Sequence, residues 1–314
     1  MHTVYFDSAM SDQERRQELY DGQVFVYSPR PSTRALTEWA RQLIEEAFQP
    51  LPPETAQHEL AVDKFVEIMA PLKPRFIHHP RTKELLLELL ADLGCDMDKT
   101  YYDVPRMRVA TSDHYLDAGV AYPLHPHRDT WYASPMCQLN WWLPVYPIAS
   151  SSTFAFFPQY WGREVKNSSN EYNHYEWNRV GRKDAAKEVK ADTRKQPKAQ
   201  GELDLSTQVR LVCPPGGLIL FSGAQLHATV ANTTGRSRFS VDFRTAHADE
   251  LAVKGGARNF DCFPQGTTLR ELRRASDQAP VPAEVLLVHE PVPPADEDGL
   301  VFKPQEAAAP AGGM

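Results

Sequence analysis

The chain of 314 residues is 42% hydrophobic and 24% charged, long enough for a substantial core and balanced like a globular protein. Its 34 Lys and Arg against 41 Asp and Glu give a net charge of −7, which argues against nucleic acid as a global partner, because phosphate binding needs positive surface. Four scattered cysteines without CxxC or CxxH spacing argue against a disulfide framework or a zinc finger, and no run approaches the roughly 18 apolar residues of a membrane span. With no basic and apolar leader after Met1, a cytoplasmic protein is expected, with a small molecule rather than a membrane as its partner.

A short strand opens the chain, and Gly22 to Tyr27 reads as a strand buried on both faces. Ser32 or Thr33 can cap a helix through about Phe48, with Leu36, Trp39, Ala40, Leu43, Ile44 and Ala47 at helical spacing, until Pro50 to Pro53 stop it. Further helices are expected over 60–70 and from Thr82 to Leu93, closed by Gly94, so that 30–95 forms a helical brace. From Val104 the pattern turns to strands, at 107–110, 119–122 and the stretch around His127.

Gln138 to Val145 is expected to be a strand with Gln138, Asn140 and Trp142 on one face and Leu139, Trp141 and Leu143 on the other. Buried amides need partners, so the first face reads as the lining of a site rather than core. Residues 161–206 break the pattern: polar overall, with Tyr172, Tyr175 and Trp177 near the start, they read as an insertion that closes over a pocket. Strands resume at 209–213, 218–221, 228–230 and 239–243, a last helix is expected near Leu269 to Arg274, and 276–314 has the composition of a Pro/Ala-rich tail. The expectation is one catalytic domain over 1–275, mainly β with flanking helices, around a double-stranded β-helix (jelly-roll, cupin-like) core at 104–245.

The chemistry concentrates at His127-Arg128-Asp129. In an extended segment, residues two apart share a face, so the imidazole and the carboxylate converge. A second His-x-Asp, His247-Ala248-Asp249, is an internal control, since only His289 in a Pro-rich region follows it. After Asp129, by contrast, the apolar strand following Pro215-Gly216-Gly217 leads to His227, which would complete a 2-His-1-carboxylate triad of the kind that holds non-haem Fe(II).

Together with Arg238-Phe239-Ser240, these residues resemble the Fe(II)/2-oxoglutarate-dependent dioxygenases, in order and spacing most like the phytanoyl-CoA dioxygenase-like branch. The resemblance covers roughly 100–245. It implies that His127, Asp129 and His227 bind Fe(II), and that Arg238, helped by Ser240, takes the distal carboxylate of 2-oxoglutarate, with Gln138 and Asn140 on the cofactor side. Arg236 and Arg244 are rivals for that role: the first shares the parity of Arg238 but falls in a turn, and the second reaches toward the far rim. Arg108, Tyr132 and Trp142 are candidates for the substrate side, and His125 reads as a structural neighbour rather than a ligand. With O2 as the other co-substrate, the implied reaction hydroxylates a small polar metabolite or natural-product intermediate, releasing succinate and CO2. Two other readings stay open on the residues alone: a cupin-like module that binds metal or ligand without turnover, and an iron oxygenase that does not use 2-oxoglutarate.

Overall fold

The computed structural model describes residues 2–181, 187–189 and 191–292. Eleven strands alternate with helices among them. The strands are β1 (Val4–Phe6), β2 (Val24–Tyr27), β3 (Thr100–Tyr102), β4 (Arg106–Ala110), β5 (Leu139–Pro144), β6 (Phe154–Phe156), β7 (Val209–Arg210), β8 (Leu218–Ser222), β9 (His227–Thr229), β10 (Arg238–His247) and β11 (Arg273–Arg274). The helices are α1 (Asp12–Tyr20), α2 (Pro31–Phe48), α3 (Val62–His78), α4 (Pro80–Asp92), the single turn α5 (His174–Glu176), α6 (Ala248–Ala252) and α7 (Ala283–His289).

Two sheets make the jelly-roll core. The larger runs β1-β2-β8-β5-β10-β3-β11, and β4 shares with β3 the edge of β10 that β5 leaves free. The smaller runs β7-β6-β9 and is extended by a bridge between His127 and His227. Period-two alternation sorts the side chains of the larger sheet. Phe25, Leu139, Leu143, Leu218, Leu220, Phe239, Val241 and Phe243 join the buried faces of α2, α3 and α4 in the main core. Their neighbours Val24, Val26, Trp142, Ile219 and Phe221 point the other way, against Phe154 and Phe156 of the small sheet. The helices thus cover one face of the large sheet, while the other faces inward and lines a cavity along β4, β5 and β10.

Several expectations need correction. Residues 119–122 form no strand but a 3-10 turn at Gly119–Ala121, because Gly119 adopts a left-handed conformation (φ 55°) and its amide is taken by the Asp192 carboxylate at 3.2 Å. The helix expected over 60–70 continues to His78 through Pro71 and Pro74. Both prolines are exposed, and burial of Met69, Leu72 and Phe76 outweighs the two missing amides. The helix expected near 269–274 is one 3-10 turn at Thr268–Glu271, after which β11 pairs with β3.

The insertion is less polar in place than in composition: Val165, Tyr172 and Tyr175 are buried. The stretch expected to be a tail contains α7, fastened by His289 Nε2 on the Leu251 carbonyl (2.8 Å) and by Glu290 paired with Arg270 (2.9 Å). The rest of that stretch, 293–314, and 182–186 and 190 of the insertion lie outside the described residues.

Candidate metal centre

His127 and His227 face each other across the bridge, each backbone amide donating to the other's carbonyl at 2.9 Å, with ring centroids 4.3 Å apart. The two rings are oriented by the same device. Nδ1 of His127 donates to the carbonyl of His125 (2.8 Å) and Nδ1 of His227 to that of Gln225 (3.0 Å), two residues earlier in each case. A donating Nδ1–H fixes the tautomer and leaves Nε2 with its lone pair, the state that a metal ligand needs.

Arg128 is extended (φ −109°, ψ 141°), which brings Asp129 to the same side as His127, and Asp129 begins a 3-10 turn that its amide anchors on the Gly223 carbonyl at 2.8 Å. Asp129 Oδ1 then lies 3.2 Å from His127 Nε2 and 3.9 Å from His227 Nε2. The three ligand atoms fall within 4.8 Å of one another and form the one such His/Cys/Asp/Glu group among the described residues. Two imidazole nitrogens and one carboxylate oxygen, buried together on one side of a cavity, fit a divalent first-row metal.

The electrostatics agree. Burial would raise the Asp129 pKa, but the neighbouring His127 and the positive charge of Arg244 outweigh it and hold the carboxyl well below the usual range. Burial, reinforced by the neighbouring His127, pushes His227 down to about 4 despite Asp129, which favours a neutral ring. The other Asp129 oxygen, Oδ2, accepts from Gln138 Nε2 at 3.2 Å and has Arg244 Nε at 3.7 Å, while Gln138 also donates to Asn140 Oδ1 at 3.0 Å. Gln138 therefore steadies the Asp129 carboxylate through one contact and orders Asn140 through the other.

A cavity of about 580 Å³ opens on this triad. The triad, Gln138, Asn140, Arg238, Ser240, Arg108, Tyr132 and Trp142 all line it, as does Arg244, whereas Arg236 does not. Alternation on β10 presents Arg238, Ser240, Asp242 and Arg244 on its inward face. The arginines differ in what they meet. Arg244 lies among three carboxylates, Asp242 (3.3 Å), Asp103 (3.4 Å) and Asp129 (3.7 Å), and Arg108 forms a two-point pair with Asp242 (2.7 and 3.3 Å).

Arg238 is only 8% exposed and makes no ion pair or hydrogen bond with any described residue; its guanidinium lies over the Trp142 ring, 5.4 Å from the centroid. Burial pulls its pKa down to about 10. Beside it, Ser240 Oγ is buried and also without a partner. A fork-shaped cation and a hydroxyl, both lacking an acceptor in the same cavity, have the chemistry to take a carboxylate.

Sequence reasoning missed Asp103, Asp242, Lys73 and the His174–Glu271 pair (2.8 Å), all of which line the cavity. Asp242 was within reach of the alternation that pairs Ser240 with Arg238. The other three depend on tertiary contacts that carry no local signal. Tyr132 stands edge-on to His127 (5.5 Å) and its hydroxyl donates to Gln196 Oε1 (3.3 Å), while His125 Nε2 meets the Pro197 carbonyl (2.6 Å), so the insertion is held over the triad at two points. The control pair behaves as an ordinary cap: His247 Nδ1 accepts from the Asp249 amide at 3.3 Å and starts α6.

No family model and no curated protein sequence matches the chain. Solved structures similar to it include EvdO2 from Micromonospora carbonacea var. aurantiaca complexed with 2-oxoglutarate, 14% identical over 76% of this chain and 92% of that one, with a TM-score of 0.43. They also include the epimerase SnoN in complex with Fe3+, alpha-ketoglutarate and nogalamycin RO (14%, 75% and 84%, TM-score 0.37) and the non-heme monooxygenase ThoJ (12%, 70% and 71%, TM-score 0.37). These likenesses are distant, and the functional reading below rests on the chain's own geometry.

Proposed function

We propose that this chain is a non-haem Fe(II)- and 2-oxoglutarate-dependent oxygenase, of the phytanoyl-CoA dioxygenase-like kind, that hydroxylates a small molecule held in the cavity. The observation that carries the reading is the combination of the His127–Asp129–His227 triad with an uncompensated buried guanidinium, Arg238, lining the same cavity. A metal-binding module without turnover has no use for a buried carboxylate receptor, and binding of 2-oxoglutarate itself separates this reading from an iron oxygenase that takes no keto acid.

His127, Asp129 and His227 would hold the iron, Arg238 and Ser240 the distal carboxylate of 2-oxoglutarate, and Gln138 would keep Asp129 in place. Bound Fe(II) supplies the O2-dependent oxidation, in which 2-oxoglutarate, O2 and a substrate C–H bond give succinate, CO2 and a C–OH bond. The protein's part is to orient the keto acid and the substrate and to keep water out. Tyr172, Trp177, Arg194 and Gln196 bring the 161–206 insertion into the cavity wall, in keeping with a lid.

The test incubates the protein with Fe(II), ascorbate and 2-oxoglutarate and measures succinate, beside calorimetric binding of 2-oxoglutarate to the Mn(II)-loaded protein. Binding and succinate that both disappear in His227→Ala support the reading. Metal binding without any 2-oxoglutarate binding would replace it with the metal-only module.

A further inference from the structure

Inside the cavity, charge is matched with care. Arg106 is paired with Asp103, Arg108 with Asp242, Arg194 with Asp192, and Arg244 with Asp103, Asp129 and Asp242. Two cations remain that form no ion pair with any described residue. One is Arg238. The other is Lys73, which α3 turns into the cavity with Ala70, Pro74 and Ile77 at helical spacing. Its ammonium donates one hydrogen bond, to the Val120 carbonyl, and an ammonium has three protons to give.

The setting is tuned for a further acceptor. Burial, with Arg108 and Arg194 nearby, pushes the Lys73 pKa down to about 7 against the opposing pull of Asp242. That carboxylate is already held by Arg108 and Arg244, so it does not neutralise the lysine. Arg108 of β4 and Asp242 of β10 act on both Lys73 and Arg238, and Arg194 of the insertion acts on Lys73 alone, so Lys73 lies on the side of the cavity that the insertion covers. Tyr122, Tyr132 and Trp177 line the same cavity and add aromatic surface for an apolar body.

We propose that Lys73 is the recognition point for a carboxylate on the substrate, so that the molecule oxidised here is a monoanionic organic acid with an apolar or aromatic body. A single uncompensated positive charge matches a single negative one, and a dianion such as a phosphate monoester would leave charge unbalanced. The proposal rests on the functional reading for one point, that Arg238 is reserved for the keto acid.

The test uses the full chain loaded with Zn(II) and saturating 2-oxoglutarate, with phenylacetate as probe and phenylacetamide as its neutral counterpart. Wild type is expected to bind phenylacetate roughly 10- to 100-fold more tightly than the amide, the range of a charge-assisted hydrogen bond. Lys73→Met should bring the two together, and Lys73→Arg should restore part of the preference. Wild type that fails to bind phenylacetate, or binds both probes equally, overturns the proposal, as does a preference that survives in Lys73→Met. Binding of 2-oxoglutarate is followed in the same samples and should be unaffected in Lys73→Met. Its loss there would assign Lys73 to the keto acid instead. Its absence in wild type would defeat the functional reading while leaving the phenylacetate comparison to be judged alone.

Discussion

Arg238→Met separates the roles of two arginines that share one face of one strand. In the unliganded protein Arg238 is a buried cation without an anion, and desolvating such a group costs several kcal/mol. Its nearest compensation, the Trp142 ring at 5.4 Å, contributes about 0.5–2 kcal/mol, and Asp242 adds a longer-range pull that Arg108 opposes. The first quantity is the larger, so Arg238→Met should leave the unliganded protein as stable as wild type or more so. Arg244→Met has the opposite sign. It takes a guanidinium from Asp103, Asp129 and Asp242; the first and last keep Arg106 and Arg108, Asp129 is left without a cation among the described residues, and breaking a buried pair in this way costs up to about 3–5 kcal/mol.

The ligand side is equally calculable. A ligand at a hundredfold excess over its Kd stabilises the native state by about 2.7 kcal/mol. With an unfolding entropy of about 2.1 cal/mol/K per residue over 314 residues, that is a Tm rise of about 4 °C. Losing a charged two-point contact costs roughly 30-fold or more in affinity, which cuts the rise to about 1 °C or less at the same 2-oxoglutarate concentration. The assay is a thermal melt of the Zn(II)-loaded protein with and without 2-oxoglutarate. An Arg238→Met protein that is several kcal/mol less stable than wild type, or that keeps the full 2-oxoglutarate shift, would refute the reasoning.

Removal of a ligand is the plainest of the remaining tests: His227→Ala should lose stoichiometric Fe(II) or Mn(II) binding under anaerobic titration, and one tightly bound ion per chain in that variant would contradict the triad. Lys73 gives a pH signature in stability. Its folded pKa of about 7 lies below the usual lysine value of about 10.4, so between them the unfolded chain binds the extra proton and stability from this group rises with pH. Lys73→Met should therefore stabilise the protein most below about pH 7, and its advantage should shrink as pH rises toward about 10; an advantage that does not change with pH would mean the ammonium is solvated. Proteolytic cleavage within 161–206 should slow when metal, 2-oxoglutarate and a bound organic acid are all present, and a cleavage rate indifferent to all three would remove the lid.

The sequence was most legible where chemistry and backbone period coincide. His127, Asp129 and His227 are readable because two lie two apart in extended chain and the third ends an apolar strand after a Pro-Gly-Gly turn. The inward set on β5 follows from amides interrupting an apolar strand, and Gln138 and Asn140 do find partners, each other and Asp129. Legibility failed where tertiary burial overruled local signals. Pro71 and Pro74 announce a helix end, yet Leu72 and Phe76 carry α3 onward, and only that continuation brings Lys73 to the cavity. Gly119 to Tyr122 looks like a strand until its glycine turns left-handed to meet Asp192, a residue far along the chain.

Compensation, rather than position, distinguishes a receptor from a brace in this cavity. Arg238 and Arg244 are the same residue type on the same face, yet Arg244 sits among three carboxylates and Arg238 forms no ion pair with any described residue. The same criterion selects Lys73, and the loop it touches explains how its ligand and the insertion could act together. Val120 accepts from Lys73, while the adjacent Gly119 donates to Asp192 at 3.2 Å, and Asp192 is paired with Arg194, whose guanidinium lies 5.1 Å from the Trp177 ring centroid. A carboxylate bound at Lys73 thus adds to an ammonium already tied to the loop that the insertion grips. Because Lys73 has donors for both, the anion need not displace the loop, and its binding energy works in the same direction as closure.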